Sequence, residues 1–248
     1  MIEHSRQTIQ LTVGFIVSPA LELDEHRLAA FRARLEEEGI RFDHAEQGDA
    51  GLILVREKPS VLQVQVATGQ VAGGAEPVAV SQLVVATALA PEVPAASASD
   101  FANAAHEVTD VARDVWPEME NVLGWNTGIR VLFASSTEHS FQYLWERRLG
   151  QSTDDLSVFG RPILGGGMRL VFPPGQTPGE QFQAEVRVES FLEDVRRLYV
   201  ELNLGSGNPE PISAMNPTSL VQVTEEFLQD RLVPFLRAGG GESDAGLA

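Results

Sequence analysis

The chain has 248 residues, and its 35 Asp and Glu residues outnumber its 18 Lys and Arg residues, so the formal net charge is −17. With 43% hydrophobic and 21% charged residues, the composition is typical of a folded protein and excludes intrinsic disorder. So negative a chain is also unsuited to direct nucleic-acid binding, which depends on Lys and Arg. The charge favours protein partners with a basic surface.

The chain contains no cysteine, which excludes disulfides, cysteine zinc sites, iron–sulfur clusters and thiol nucleophiles. It has no uninterrupted apolar stretch of about 18 residues, so the sequence predicts no membrane span. Its first residues lack the basic and apolar regions of a secretory signal. The predicted location is therefore cytoplasmic.

Alternating and helical patterns at the start of the chain predict a sheet and one helix. Apolar side chains recur at helical spacing over residues 24–38, and Gly39 follows where a left-handed cap belongs. Runs that alternate or are apolar throughout indicate strands, two of them joined as a hairpin. These strands are residues 8–17, 51–56, 60–68 and 78–88.

A loop rich in Pro, Ala and Ser, residues 91–99, precedes a second predicted helix. Ser97 and Asp100 have the spacing of a capping box, so the helix is expected over residues 100–115. Residues 126–134 then alternate again and predict another strand.

The remaining sequence predicts a short helix, three strands, a last helix and a tail. The short helix covers residues 138–149, and the strands cover 168–172, 181–189 and 196–204. Asn216 and Pro217 are typical of a helix N-cap and first turn, and an amphipathic helix follows them to about residue 236. Residues 237–248 are small and polar, which predicts a flexible tail.

This order of elements predicts an α+β fold. We expect a mainly antiparallel sheet with about four helices packed on one side, because the strands alternate and several are joined as hairpins. A single domain over residues 1–236 is favoured. Two related β-α-β halves, 1–137 and 138–236, remain an alternative organisation.

No motif in the sequence assigns a catalytic activity. The glycine-rich stretches 165–167 and 205–208 lack the following helix and the lysine of a phosphate loop. The histidines are too far apart along the chain to form a helical zinc motif. Clustered carboxylates, such as those at 36–38, are typical of solvated surfaces. We therefore predict no catalytic residue, no cofactor and no metal.

Aromatic and arginine residues concentrate near the middle of the chain. Buried centres of protein interfaces favour this combination, whereas packing of the aromatic residues on the sheet is the alternative interpretation. The predicted binding residues are Trp125, Arg130, Tyr143, Trp145, Arg147 and Arg148.

Residues 124–133, Gly-Trp-Asn-Thr-Gly-Ile-Arg-Val-Leu-Phe, follow a helix and contain a Gly-aliphatic-Arg pattern. This pattern, with the C-terminal amphipathic helix, resembles an uncharacterised, sporadically distributed bacterial protein family. The resemblance implies an accessory role, such as defence or toxin neutralisation, and implies no catalytic residues.

Two functional hypotheses follow from the sequence. The first is a non-enzymatic acidic protein that binds a protein partner and forms a homodimer. The alternative is a small-molecule-binding protein or an enzyme, with a pocket between the sheet and the C-terminal helix. Asn126, Arg130 and Tyr199 are the polar candidates for that pocket, provided that their side chains point inward.

Overall fold

The structure is a computed structural model that describes residues 6–48, 51–72, 76–87, 97–135, 138–177 and 179–238. Residues 91–96 of the predicted loop and residues 239–248 of the predicted tail lie outside these ranges. The described residues form an α+β fold, as the sequence predicts.

Ten strands form one antiparallel sheet. They are β1 (Gln7–Ser18), β2 (His44–Gly48), β3 (Gly51–Arg56), β4 (Leu62–Val71), β5 (Val78–Ala86), β6 (Asn121–Ala134), β7 (Gly167–Phe172), β8 (Gln183–Ser190), β9 (Arg197–Ser206) and β10 (Glu210–Pro211). Their order across the sheet is β2-β3-β4-β5-β1-β6-β9-β8-β7, and β10 pairs with the start of β6. The two edges of the sheet are therefore β2 and β7.

Five α-helical segments accompany the sheet. They are α1 (Glu25–Glu37), α2 (Ala98–Val115), α3 (Ser140–Gln142), α4 (Pro217–Phe227) and α5 (Val233–Ala238). A π-helical segment, Tyr143–Arg148, continues α3, and another, Leu228–Leu232, joins α4 to α5. Short 3-10 helices cover Thr153–Phe159 and Ile212–Ala214.

Side-chain caps set the helix ends that the sequence predicts. The side chains of Asp24, Ser97 and Asn216 each accept a hydrogen bond from a backbone N–H in the first turn of the helix that follows. Gly39 has φ +83°, so the chain leaves α1 in the left-handed region that glycine adopts most easily.

The structure adds elements that the sequence patterns did not predict. Strand β2 was missed because all its side chains are exposed and its polar sequence carries no alternation. Strand β6 begins at Asn121 rather than at residue 126. The predicted helix over 138–149 is α-helical only at Ser140–Gln142 and continues with π-helical hydrogen bonding.

The element order repeats itself in the two parts of the chain. In each part, a long strand is followed by a helix, a run of antiparallel strands and a second helix, and the last strand before that helix pairs with the first. The long strands β1 and β6 pair at the centre of the sheet. In this element order the second part begins with β6. We call residues before β6 the first half and the rest the second half.

One face of the sheet carries the helices, and we call the opposite face the outer face. Inward side chains such as Val13, Val64 and Val131 are at most 1% exposed. Helix α2 contacts both α1 and α4, and Thr224 on α4 donates a hydrogen bond to the inward Thr127 of β6. The helices thus form one continuous layer over the centre of the sheet.

Candidate binding cleft

An apolar cleft of about 570 Å³ lies in the second half, between β7–β8 and the helices α4 and α5. Its lining residues are Leu170, Phe172, Pro173, Gly175, Glu180, Phe182, Ala184, Val186, Phe227, Arg231, Leu232 and Phe235. The volume falls within the range of about 300–1,000 Å³ that is usual for ligand sites. The lining is almost entirely hydrocarbon, so the cleft favours apolar groups.

Aromatic rings form the walls of the cleft. The ring of Phe227 lies 6.5 Å from that of Phe172 and 6.4 Å from that of Phe182, between ring centres. Trp125 meets Phe182 edge-on at 6.4 Å. Such tilted and edge-on contacts are the stable arrangements of aromatic pairs, yet Phe172 remains 43% exposed. The cleft is therefore a formed site that is open to solvent.

The helical wall owes its apolar face to regular spacing. Phe227, Arg231 and Phe235 are four residues apart, which places them along one side of a helix. The π-helical segment Leu228–Leu232 lies at the centre of this wall. Such insertions in α-helices are found frequently at functional sites.

The rim of the cleft carries charged groups of both signs. Arg231 Nη2 lies 3.1 Å from Glu180 Oε1, and both side chains are more than half exposed. The guanidinium of Arg148 lies over the ring of Phe235, 4.0 Å from its centre, which is a cation–π contact. Arg148 Nε is buried and has no hydrogen-bond partner in the structure.

Tyr143 holds the helical wall in place. Its side chain is 1% exposed, and its hydroxyl donates a hydrogen bond to the backbone carbonyl of Leu236. Burial raises the pKa of the phenol, while Arg148 and Arg147 act in the opposite direction. Tyr143 thus links the π-helical segment after α3 to α5, and its side chain is inaccessible to a partner.

The other predicted binding residues are distributed around the molecule. Trp125 and Arg148 adjoin the cleft through Phe182 and Phe235. Trp145 is half-buried, stacks on Phe141 with 5.7 Å between ring centres, and donates a hydrogen bond to the carbonyl of Ser152. The Phe141–Trp145 pair therefore packs within the molecule, which is closer to the alternative interpretation of these aromatic residues than to an interface. Arg147 is exposed.

Arg130, the sixth predicted residue, lies on the outer face. Its Nη2 bonds Glu201 Oε1 at 2.9 Å, and its Nη1 donates to Gln10 Oε1 at 2.7 Å. Asn126 and Tyr199 lie on the same face. Asn126 is paired with the outward Gly14, and Tyr199 is paired with the outward Glu189. The condition that Asn126, Arg130 and Tyr199 point inward to a pocket under the C-terminal helix is therefore not met, since strand alternation turns them to the other face.

The outer-face network shifts two pKa values. Burial raises the pKa of Tyr199 to about 12, and the neighbouring Glu201 carboxylate acts in the same direction. Burial alone would raise the pKa of Glu201, but hydrogen bonds from Arg130 and Asn203 outweigh it and hold that pKa below its ordinary value. Burial and the Glu201 carboxylate therefore favour a neutral Tyr199 phenol, whereas Arg130 and Asn203 favour a charged Glu201 carboxylate.

The phenylalanines of the cleft were missed as site residues by sequence reasoning. Phe182 follows the alternation of β8, and Phe227 follows the helical periodicity of α4, so each pattern indicated ordinary core packing. The four-residue spacing from Phe227 to Phe235 is visible in the sequence, but it does not reveal that these rings line a cleft rather than a filled core.

Within the described ranges, no three or more His, Asp or Glu side chains are grouped as metal ligands. No helix among those residues is long and apolar enough to cross a membrane. Comparison with models of known protein families finds no match. Comparison with curated proteins likewise finds no similar sequence.

Proposed function

We propose that this chain is a non-enzymatic binding protein that holds an apolar segment of a protein partner in its second-half cleft. The observation that carries the proposal is the open cleft of about 570 Å³ with its phenylalanine walls. Two of its lining side chains titrate, Glu180 and Arg231, and they are paired with each other. The cleft therefore offers binding surface rather than a free acid or base.

The charge around the cleft favours basic residues beside the bound apolar segment. Glu180 lines the rim, and the exposed carboxylates of Glu226 and Asp230 precede Phe227 and Arg231 on the helical wall. The net charge of −17 adds attraction at long range. A protein that covers an apolar, basic segment of its partner fits an accessory or toxin-neutralising component, the role that the resemblance of residues 124–133 implies.

Short labelled peptides test this proposal directly. We expect fluorescence anisotropy to show binding of a peptide with two or three large apolar residues flanked by arginines. The same peptide flanked by glutamates should bind at least about tenfold more weakly, because the net charge of −17 repels it. A peptide series that does not bind at about 1 mM would contradict the proposal.

Two exposed phenylalanines provide a matched pair of variants. Phe172→Glu places a charge inside the cleft and should weaken binding of the arginine-flanked peptide at least about tenfold. Phe159→Glu makes the same change on the 3-10 helix Thr153–Phe159, outside the cleft lining, and should leave binding unchanged. Equal loss in both variants would show that the peptide binds elsewhere.

The cleft also has the size of a small-molecule site, which favours a second candidate function. Arg231 and Arg148 near the rim suit an apolar ligand with an anionic end. Binding of an anionic naphthalene dye that is lost in Phe172→Glu, together with failure of all the peptides, would favour this candidate over a protein partner.

A further inference from the structure

Part of the outer face lacks charged side chains across six neighbouring strands. One row of paired residues, taken from β3 to β9, consists of Ile53, Gln65, Val84, Gly14, Asn126 and Gly205. The next row runs across the same strands, from Val55 of β3 to Asn203 of β9. The row on the other side runs from Ala67 of β4 to Gly124 of β6. Neither row contains a charged residue. We call these three rows the neutral face.

The neutral face is unusual for this protein. Charged residues make up 21% of the chain, and a solvated sheet face normally carries many of them. The adjoining part of the outer face does so, in the row formed by Arg130, Glu201 and Arg187. Depletion of charge is the compositional mark of the centre of a protein interface.

The neutral face also carries few large side chains. Gly14, Gly124, Gly128 and Gly205 present no side chain, and the amide of Asn203 lies where a side chain at Gly128 would stand, with Oδ1 2.6 Å from an added Cβ. Two of the rows cross six strands and the third crosses four, so the face measures about 25 by 20 Å at its widest. Two such faces in contact would bury roughly 900 Å² in total, close to the size of about 1,000 Å² at which specific interfaces begin.

We propose that the neutral face binds a second copy of this chain, so that two sheets pack face to face in a two-fold dimer. Around a two-fold axis each residue lies near its own counterpart, and any charge there would repel itself. An uncharged face is what a chain of charge −17 needs for self-association. A basic partner would instead require carboxylates on this face, and these rows contain none. Aligned packing of two sheets about 10 Å apart is a standard arrangement.

Sedimentation velocity of the full chain tests the proposal. At about 10 μM, we expect a species of twice the 26.9 kDa chain mass. The double variant Gln65→Glu/Gln82→Glu should sediment as a monomer, with a dissociation constant raised at least about 100-fold, because like charges then face each other. Gln151→Glu makes the same change at an exposed position after the π-helical segment Tyr143–Arg148, outside the sheet, and should leave the dimer intact.

A second double variant keeps the test decisive. Gln65→Lys/Gln82→Lys should also be monomeric alone, and an equimolar mixture with the glutamate variant should form a mixed dimer through opposite charges. Circular dichroism identifies any variant that fails to fold. A wild-type monomer at about 100 μM, a dimer that survives both double variants, or equal dissociation by Gln151→Glu would overturn the proposal. Peptide binding at the cleft is independent of each of these outcomes.

Discussion

The two halves of the molecule share one arrangement of strands and helices but fill it differently. In the first half, α1 packs Leu28, Phe31 and Leu35 into the space between sheet and helices, and each is at most 1% exposed. In the second half, α3 and its π-helical continuation are shorter and contact β8 and β7 in the sheet. The space beside α4 and α5 is left as the apolar cleft.

The charge of the outer face also differs between the two parts of the sheet. The neutral face covers β3, β4, β5 and β1 of the first half and reaches β6 and β9 of the second half. The rest of the second half's outer face presents ion pairs between Arg130 and Glu201 and between Arg169 and Glu185. Two surfaces are thus left uncovered on opposite sides of the sheet. The apolar cleft lies on the helical side, and the neutral face lies on the outer side. The two surfaces differ because the covering elements and the outward residues differ between the halves.

The filled space under α1 and the open cleft predict very different losses of stability when a phenylalanine ring is removed from each. Phe31 packs 5.0 Å from Trp116, between ring centres, and Phe31→Ala should lower the free energy of unfolding by about 3–5 kcal/mol through the cavity that it creates. Phe227→Ala removes the same ring from a wall that already faces an open cleft, and it should cost only about 1–2 kcal/mol. Urea unfolding measures both values.

Equal losses in the two alanine variants would contradict the comparison, since they would mean that Phe227 is as tightly enclosed as Phe31. Phe159→Ala is the control, because Phe159 is 64% exposed and its removal should change the free energy of unfolding by no more than about 0.5 kcal/mol.

The wall of the open cleft depends on one buried hydrogen bond, which gives a smaller expected effect. Tyr143→Phe deletes the hydroxyl that bonds the Leu236 carbonyl and should cost about 1–2 kcal/mol, because a buried carbonyl loses its partner. Hydrogen exchange should show faster opening of α5 with α1 unaffected. Slower exchange in α5, or an effect confined to the first half, would contradict this assignment.

Much of the fold was predictable because its local signals agree with its packing. The alternation of residues 8–17 matches a strand whose inward residues are buried, and Asp24, Ser97 and Asn216 cap the helices that they precede. Strand β2 was not predictable, because an exposed edge strand has no buried face to impose a pattern on its sequence.

The site was less predictable, for a physical reason that Arg130 and Phe227 illustrate. Arg130 beside aromatic residues suggested an interface, but strand alternation places it on the outer face, where Glu201 binds it. Phe227 looked like a core residue. Whether an apolar residue is covered depends on the length of a distant element, here the segment after α3, and no local pattern encodes that length.

The ion pairs of the second-half outer face should make the free energy of unfolding depend on pH in the acidic range. This is the smallest effect that we predict. The pKa of Glu201 is held below its ordinary value of 4.5 in the folded protein, so its contribution is present above that pH and is lost as the pH falls through the lowered value. Glu201→Gln should lower the free energy of unfolding at pH 7 by about 1 kcal/mol, since Arg130 is one-third exposed and the pair is partly screened.

Thermal unfolding followed from pH 7 to about pH 3 measures this contribution. The melting temperatures of wild type and Glu201→Gln should converge as the pH falls, because protonation removes the charge that the variant lacks at every pH. Glu189→Gln, on the same face but not bonded to Arg130, is the control and should change the free energy of unfolding at pH 7 by no more than about 0.5 kcal/mol. A gap between Glu201→Gln and wild type that widens in acid would show that Glu201 is stabilised in its protonated form, and the charged network would then not be what distinguishes this face from the neutral one.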